Sequence, residues 1–225
     1  MSSLQVSSLF PDMPAARQVL PALPQGFRYK PGFISEDEER ELLARIDELQ
    51  LHQAVWNGYA ALRRVASFSL SDTAPEQYRS DPNKGSATLA DDAVQRDDGT
   101  VPSKPVPTRQ APSWLRELSA RIGEHLGHTP GSICHALITE YPAGAPIGWH
   151  VDSPPHSAII GLSLGSDCTF RLRPARQEFR SRESLISFTA QQRSLYEMAG
   201  ASRERWQHSI RPVPARRVSI TLRTM

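Results

Sequence analysis

His150 and Asp152 stand two residues apart in Gly148-Trp149-His150-Val151-Asp152. In an extended strand, residues i and i+2 point to the same side, so this imidazole and carboxylate can reach one cation. His208, far along the chain, can add a third ligand from a separate strand. Two histidines and one carboxylate form the facial triad that holds Fe(II) and leaves adjacent positions open for oxygen and a second ligand. The pair alone carries little weight, because a chain with 7 histidines and 24 acidic residues yields about one such pair by chance. A hydrogen-bonded surface histidine is the competing reading.

The C-terminus tips the balance. In Arg217-Val218-Ser219-Ile220-Thr221-Leu222-Arg223 the two end arginines share one strand face, and Val218, Ile220 and Leu222 share the other. Arginines turned inward from a core strand need an anionic partner. A guanidinium meets a carboxylate through a planar fork that lysine cannot reproduce. A dicarboxylate such as 2-oxoglutarate would satisfy both. The alternative is an edge strand with both arginines in solvent. Arg216 falls on the outer face.

The elements that must position these groups follow from periodicity. Ser35 with Glu38 three residues on opens a helix, and Leu42, Leu43, Ile46 and Leu49 fall on one side of it. A second helix begins near Ser113, carries Trp114, Leu115, Leu118, Ile122 and Leu126 on its apolar face, and stops at Gly127. After residue 130 the pattern changes to short strands at 133–141, 158–164, 168–173, 184–189, 193–198, 206–211 and 216–223. Helices followed by many short strands predict a mainly β domain over 26–225, a sandwich or jelly roll with flanking helices. Of 19 prolines, 5 lie in residues 1–31 and 6 in 75–112. Residues 1–25 read as a flexible arm and 71–112 as a long loop, a candidate substrate lid.

Composition sets bounds. The 26 basic and 24 acidic residues leave a formal charge of +2, too mild to argue for nucleic acid by itself. Cys134 and Cys168 are the only cysteines, which disfavours a disulfide framework or a sulfur-bound zinc. The N-terminus shows no signal-peptide pattern, and no apolar run approaches a bilayer span. The expectation is a soluble, cytoplasmic monomer.

With these residues in view, the chain resembles the AlkB family of 2-oxoglutarate oxygenases. Thr139-Glu140-Tyr141 through His150-Val151-Asp152 is similar to the family's N-x-Y-x-x-G…H-x-D region. Ile160-Gly161-Leu162-Ser163-Leu164-Gly165 is similar to the strand that follows it. Ser194 to Ile210 resembles the stretch holding the second histidine, and Arg217 to Arg223 resembles the closing R-x-N-x-x-x-R. The resemblance implies a cupin-like double-stranded β-helix. It implies that His150, Asp152 and His208 bind iron(II), and that Tyr141, Arg217 and Arg223 bind 2-oxoglutarate as the cosubstrate of O2. The implied chemistry is hydroxylation of a substrate C–H, with release of succinate and CO2, and of formaldehyde where an N-methyl group is attacked.

The substrate is less legible. The resemblance implies methylated DNA or RNA bases, with a protein side chain or small molecule as the alternative. Trp56, Tyr59, Arg63, Arg64 and Phe68 could stack on a base or hold phosphate, with Tyr59, Arg63 and Arg64 as the named substrate candidates. The competing reading is a solvated hairpin with Val65 and Phe68 turned to the core. Thr139 and Ser219 stand where repair enzymes of the family carry Asn, and Ser153-Pro154-Pro155 replaces a polar substrate-binding run.

Overall fold

Helical periodicity gives way to strand periodicity in space as it does in sequence. In chain order the elements are β1 (Phe27–Lys30), α1 (Glu36–Asp47), β2 (His52–Trp56), β3 (Tyr59–Ser69), β4 (Thr108–Gln110), α2 (Ser113–Leu126), β5 (Ile133–Tyr141) and β6 (Ile147–His150). There follow β7 (Ala158–Leu164), β8 (Cys168–Pro174), β9 (Ile186–Ala190), β10 (Leu195–Ala199), α3 (Ala201–Glu204), β11 (Trp206–Ile210) and β12 (Arg217–Thr224). The computed structural model describes residues 20–56, 59–71, 106–152 and 156–225. The seven strands expected after residue 130 are present, and β1, β4 and β6 are additional.

Among the described residues the strands form two sheets. The larger has 8 strands in the order β1-β10-β7-β12-β5-β3-β2, with β4 joined to β3. The smaller has 4, in the order β6-β11-β8-β9. Pairings are antiparallel except β3 with β4. Mainly antiparallel strands in two sheets, with helices on one side, are the expected jelly-roll core.

The pleat sorts side chains into two compartments. Val218, Ile220 and Leu222 of β12 join Leu42, Ile46, Leu115 and Ile122 in a core between the large sheet and the helices. Phe27, Tyr141, Ile159, Phe170, Phe188 and Tyr196 form a second core, between the sheets. α1 enters through Ser35, whose hydroxyl accepts the Glu38 N–H at 3.2 Å. α2 ends at Gly127, which takes a left-handed conformation (φ 78°). Glu39 on α1 is buried and accepts from the Gly165 N–H at 2.8 Å and from Arg193 at 3.0 Å, tying the helix to two turns of the large sheet.

Two expectations about irregular segments are adjusted. Residues 72–105 of the loop lie outside the described residues, but its end does not remain a loop. β4 runs parallel to β3, and Ala111 N–H donates to Ser69 O at 2.9 Å. Of the expected arm, residues 1–19 lie outside the described residues, while Leu20 and Leu23 pack against the inter-sheet core.

Gly161 on β7 faces the second core, opposite Tyr196 on β10. A Cβ at Gly161 would lie 2.2 Å from Cζ of the Tyr196 ring, so glycine makes the space that ring fills. Gly161→Ala should cost about 1–3 kcal/mol, the usual penalty of overpacking. Urea unfolding measures it, and a midpoint equal to wild type would show that Tyr196 can move at no cost.

Candidate active site

β6 and β11 pair so that His150 lies directly opposite His208. Their rings are 4.1 Å apart between centroids. Nδ1 of His150 is 2.9 Å from the Gly148 carbonyl, which can only accept, so Nδ1 carries the hydrogen and the Nε2 lone pair is available to a cation. Asp152 Oδ2 lies 3.5 Å from His208 Nε2. One ligand atom from each of His150, Asp152 and His208 falls within 4.8 Å of the others, so the structure brings the expected triad together. The parallel ring of Phe170, with centroids 5.6 Å apart, backs His208.

The protonation states suit a metal. Burial lowers both histidines, His208 to about 3, with the neighbouring His150 adding to its shift. Burial alone would raise the Asp152 carboxyl. Electrostatic attraction to His208, Arg223, His150 and Arg203 outweighs it and holds the group well below the carboxylate range. Two neutral imidazoles and an ionised carboxylate result, the donor set a divalent iron requires.

The arginine pair lies on the same side of β12 as the triad. Arg217 is fully buried. Its Nε donates to Ser163 Oγ at 3.0 Å, and its Cζ sits 5.2 Å from the Tyr141 ring centroid. Its Nη1 and Nη2 are buried and find no hydrogen-bond partner among the described residues. A buried guanidinium with idle terminal donors is costly unless a guest anion meets it, so the residues fit a carboxylate ligand. Arg223 donates from Nη2 to Asp152 Oδ1 at 3.4 Å and from Nη1 to His135 Nδ1 at 3.2 Å. Burial raises the Tyr141 hydroxyl, opposed by the charges of Arg217 and Arg63.

The substrate candidates separate. Arg63 lies one residue before Arg64 on β3, so it falls on the opposite side of the pleat, and its charge is felt at both Tyr141 and His150. Arg64 does not reach the site. It sits opposite Glu140, on the other side of the pleat, and donates to Glu140 Oε1 at 2.6 and 2.9 Å. Glu140 also holds Arg216 at 3.0 Å, on the outer face where that residue was expected. Phe68 is buried in the helix-side core, so a stacking role is closed to it. The side chains of Trp56 and Tyr59, and the segment Ser153-Pro154-Pro155, lie outside the described residues.

Sequence reasoning passed over four residues here: Ser163, Tyr196, His135 and Arg203. His135 was within reach of strand parity, since it shares a face of β5 with Tyr141, whereas Ser163 stands on a strand from which no site residue was singled out. Tyr196 was visible only as an apolar strand position. Arg203 sits on the one-turn α3, and its Nη2 donates to the Asp152 carbonyl at 2.8 Å. No periodic signal marks it.

Comparison with known proteins agrees with this geometry. The family model described as the 2OG-Fe(II) oxygenase superfamily matches residues 26–223. Over 210 residues the chain is 26% identical to tRNA (carboxymethyluridine(34)-5-O)-methyltransferase alkbh8 of Xenopus tropicalis, covering 90% of this chain and 28% of that protein. The chain thus spans well under half of that relative. The structure of OsALKBH1 superposes with a TM-score of 0.62 at 12% identity, over 91% of this chain and 100% of that one. A prolyl hydroxylase of Trichoplax adhaerens, in complex with a hypoxia inducible factor peptide, gives 0.55 at 13% identity, over 89% and 83%. A prolyl-4-hydroxylase of Pseudomonas putida gives 0.51 at 15%, over 88% and 91%. At these identities the structural likeness speaks to fold alone.

Two predictions follow from the charges. His135 and His208 titrate near 3 in the folded chain and near 6.5 when unfolded, so the unfolded state binds more protons between those values. Stability of the metal-free protein is therefore full above about pH 6.5 and declines as pH falls toward about 3, with Asp152 adding at the acid end. Urea midpoints across that window in chelator test this, and a flat profile would show ordinary imidazoles. Separately, Arg217→Met should weaken 2-oxoglutarate binding by at least about 100-fold while leaving the ligand-free melting temperature equal or higher, because it removes an unmatched buried charge. A large loss of melting temperature would mean that the charge is matched within the fold.

Proposed function

The chain belongs to the 2OG-Fe(II) oxygenase superfamily, and on that premise we propose that it oxidatively demethylates N-methylated bases of nucleic acid. It is a 2-oxoglutarate-dependent dioxygenase that uses Fe(II), 2-oxoglutarate and O2. When bound, these groups supply an oxidant that hydroxylates a substrate C–H, with succinate and CO2 as co-products. On an N-methyl group the product is a hemiaminal, which collapses to formaldehyde and the free base.

The protein's part is position and charge. In this reading His150, Asp152 and His208 would hold the iron(II), as a facial triad that admits further ligands. Arg217, Arg223 and Tyr141 receive the carboxylates of 2-oxoglutarate, the arginines supplying the donors that the fold leaves idle. The inter-sheet aromatic core excludes water from that end of the site.

Arg63 carries the choice of substrate class. It is a cation on the β2–β3 hairpin whose field reaches both Tyr141 and His150, where it can hold a phosphate as a base enters. The 26% identity to a relative named for tRNA supports the same class. The family's two altered Asn positions do not argue against it. Thr139 and Ser219 are cross-strand partners, with Ser219 lying between the two arginines on β12, on the cosubstrate side of the site.

Formaldehyde and succinate should be measured from N-methylated RNA and DNA oligonucleotides and, in parallel, from a methylated-protein pool. The expected result is formaldehyde in step with succinate from oligonucleotides alone, and neither product from Asp152→Ala, which loses iron but still melts cooperatively. Stoichiometric formaldehyde from the protein pool alone would move the substrate to a protein side chain. Equal 2-oxoglutarate turnover by Asp152→Ala would remove that residue from the metal.

A further inference from the structure

We propose that His135 is a positioning residue for the cosubstrate: it aligns the Arg223 guanidinium through Nδ1 and is itself fixed by a hydroxyl relay through Ser67 and Thr108. The inference rests on 2-oxoglutarate binding at Arg217 and Arg223. His135 is buried, shares a pleat face with Tyr141 on β5, and lies directly opposite Arg223 on β12. Arg223 Nη1 approaches its Nδ1 at 3.2 Å, Ser67 Oγ lies 2.9 Å from its Nε2, and Thr108 Oγ1 lies 2.9 Å from Ser67 Oγ.

Chemistry dictates the direction of the two bonds that His135 makes in this row. A guanidinium only donates, so Nδ1 of His135 must present its lone pair. The neutral ring then carries its hydrogen on Nε2, which donates to Ser67 Oγ. Between Ser67 Oγ and Thr108 Oγ1 either hydroxyl can donate, and the contact holds Ser67 in place in both cases. A protonated ring would turn an N–H against Arg223, and burial followed by the charge of Arg223 excludes this by lowering the ring to about 3. The row crosses β12, β5, β3 and β4, so the orientation of one arginine is set by four strands.

Arg223 needs this restraint. Its anionic neighbour is Asp152, with Oδ1 at 3.4 Å, and its Nε is buried with no partner among the described residues. Without an acceptor at position 135, the guanidinium would close onto Asp152. That would spend on a metal ligand the donors a carboxylate guest requires.

The test compares His135→Leu, His135→Asn and Ser67→Ala with wild type. Asparagine keeps an acceptor near the place of Nδ1, and leucine does not. Binding of 2-oxoglutarate is measured without oxygen, by the visible metal-to-ligand band of the Fe(II) protein and by calorimetry on the Mn(II) protein. His135→Leu should raise both the dissociation constant and KM for 2-oxoglutarate about tenfold, as expected for one charge-assisted hydrogen bond, with kcat within about twofold. His135→Asn should stay within about threefold of wild type, and Ser67→Ala should fall between the two.

Should the leucine variant not fold, the other two carry the test: unchanged affinity in folded Ser67→Ala breaks the relay. Wild-type affinity in His135→Leu, or equal damage in the Asn and Leu variants, overturns the inference. No 2-oxoglutarate binding by wild type would sink the family-based site assignment itself. Normal wild-type binding with unaltered variants defeats only the role of His135.

Discussion

Arg217 keeps a full positive charge in the core, with no exposure and two terminal nitrogens that meet no acceptor among the described residues. An ion so placed costs several kcal/mol unless something of opposite charge arrives. The fold supplies Ser163 for Nε and Tyr141 beside the guanidinium face. What remains has the shape and charge to receive a carboxylate. The surrounding structure reads as the means of keeping that cation dry, oriented and close to the triad.

The pleat of β12 makes this affordable. Val218, Ile220 and Leu222 bind the strand to the helices through one face, and the hydrogen bonds to β5 and β7 hold it on both edges. Such a strand cannot slip by one residue without turning its arginines into the helical core and its aliphatic side chains into the site. The register that fixes stability therefore also fixes where Arg217 and Arg223 point. Glu140 and Arg64, one pleat away, show the alternative outcome: charges on the outer face pair with each other and take no part in the site.

The triad is assembled by the other sheet. β6 and β11 bring the two imidazoles face to face, while Asp152 lies just past the end of β6, where Arg203 holds its carbonyl and Arg223 its carboxylate. Arg223 therefore belongs to both halves of the site. Through it, a change in the large sheet is felt at a ligand supplied by the small one.

Much of this was legible in the chain. The i, i+2 spacing of His150 and Asp152, the arginines six residues apart with aliphatic residues between, and the capped helix after Ser35 are local patterns. A local pattern survives into the fold because strand and helix geometry is nearly the same in every protein. Strand positions after residue 130 followed for the same reason, within about two residues at their ends. Partnership was not legible, because it is set by which strands lie side by side. Arg64 is next to Arg63 in sequence and yet faces Glu140 outside the site, a matter of register with β5. The His135, Ser67 and Thr108 row unites residues from three strands, and Arg203 reaches Asp152 from a single turn of helix with no period to betray it. Sequence by itself determined which side chains could do the chemistry and which faces they share. Tertiary structure alone decided which of them meet, because hydrogen bonds between distant segments depend on sheet order and register, and neither is written in local spacing.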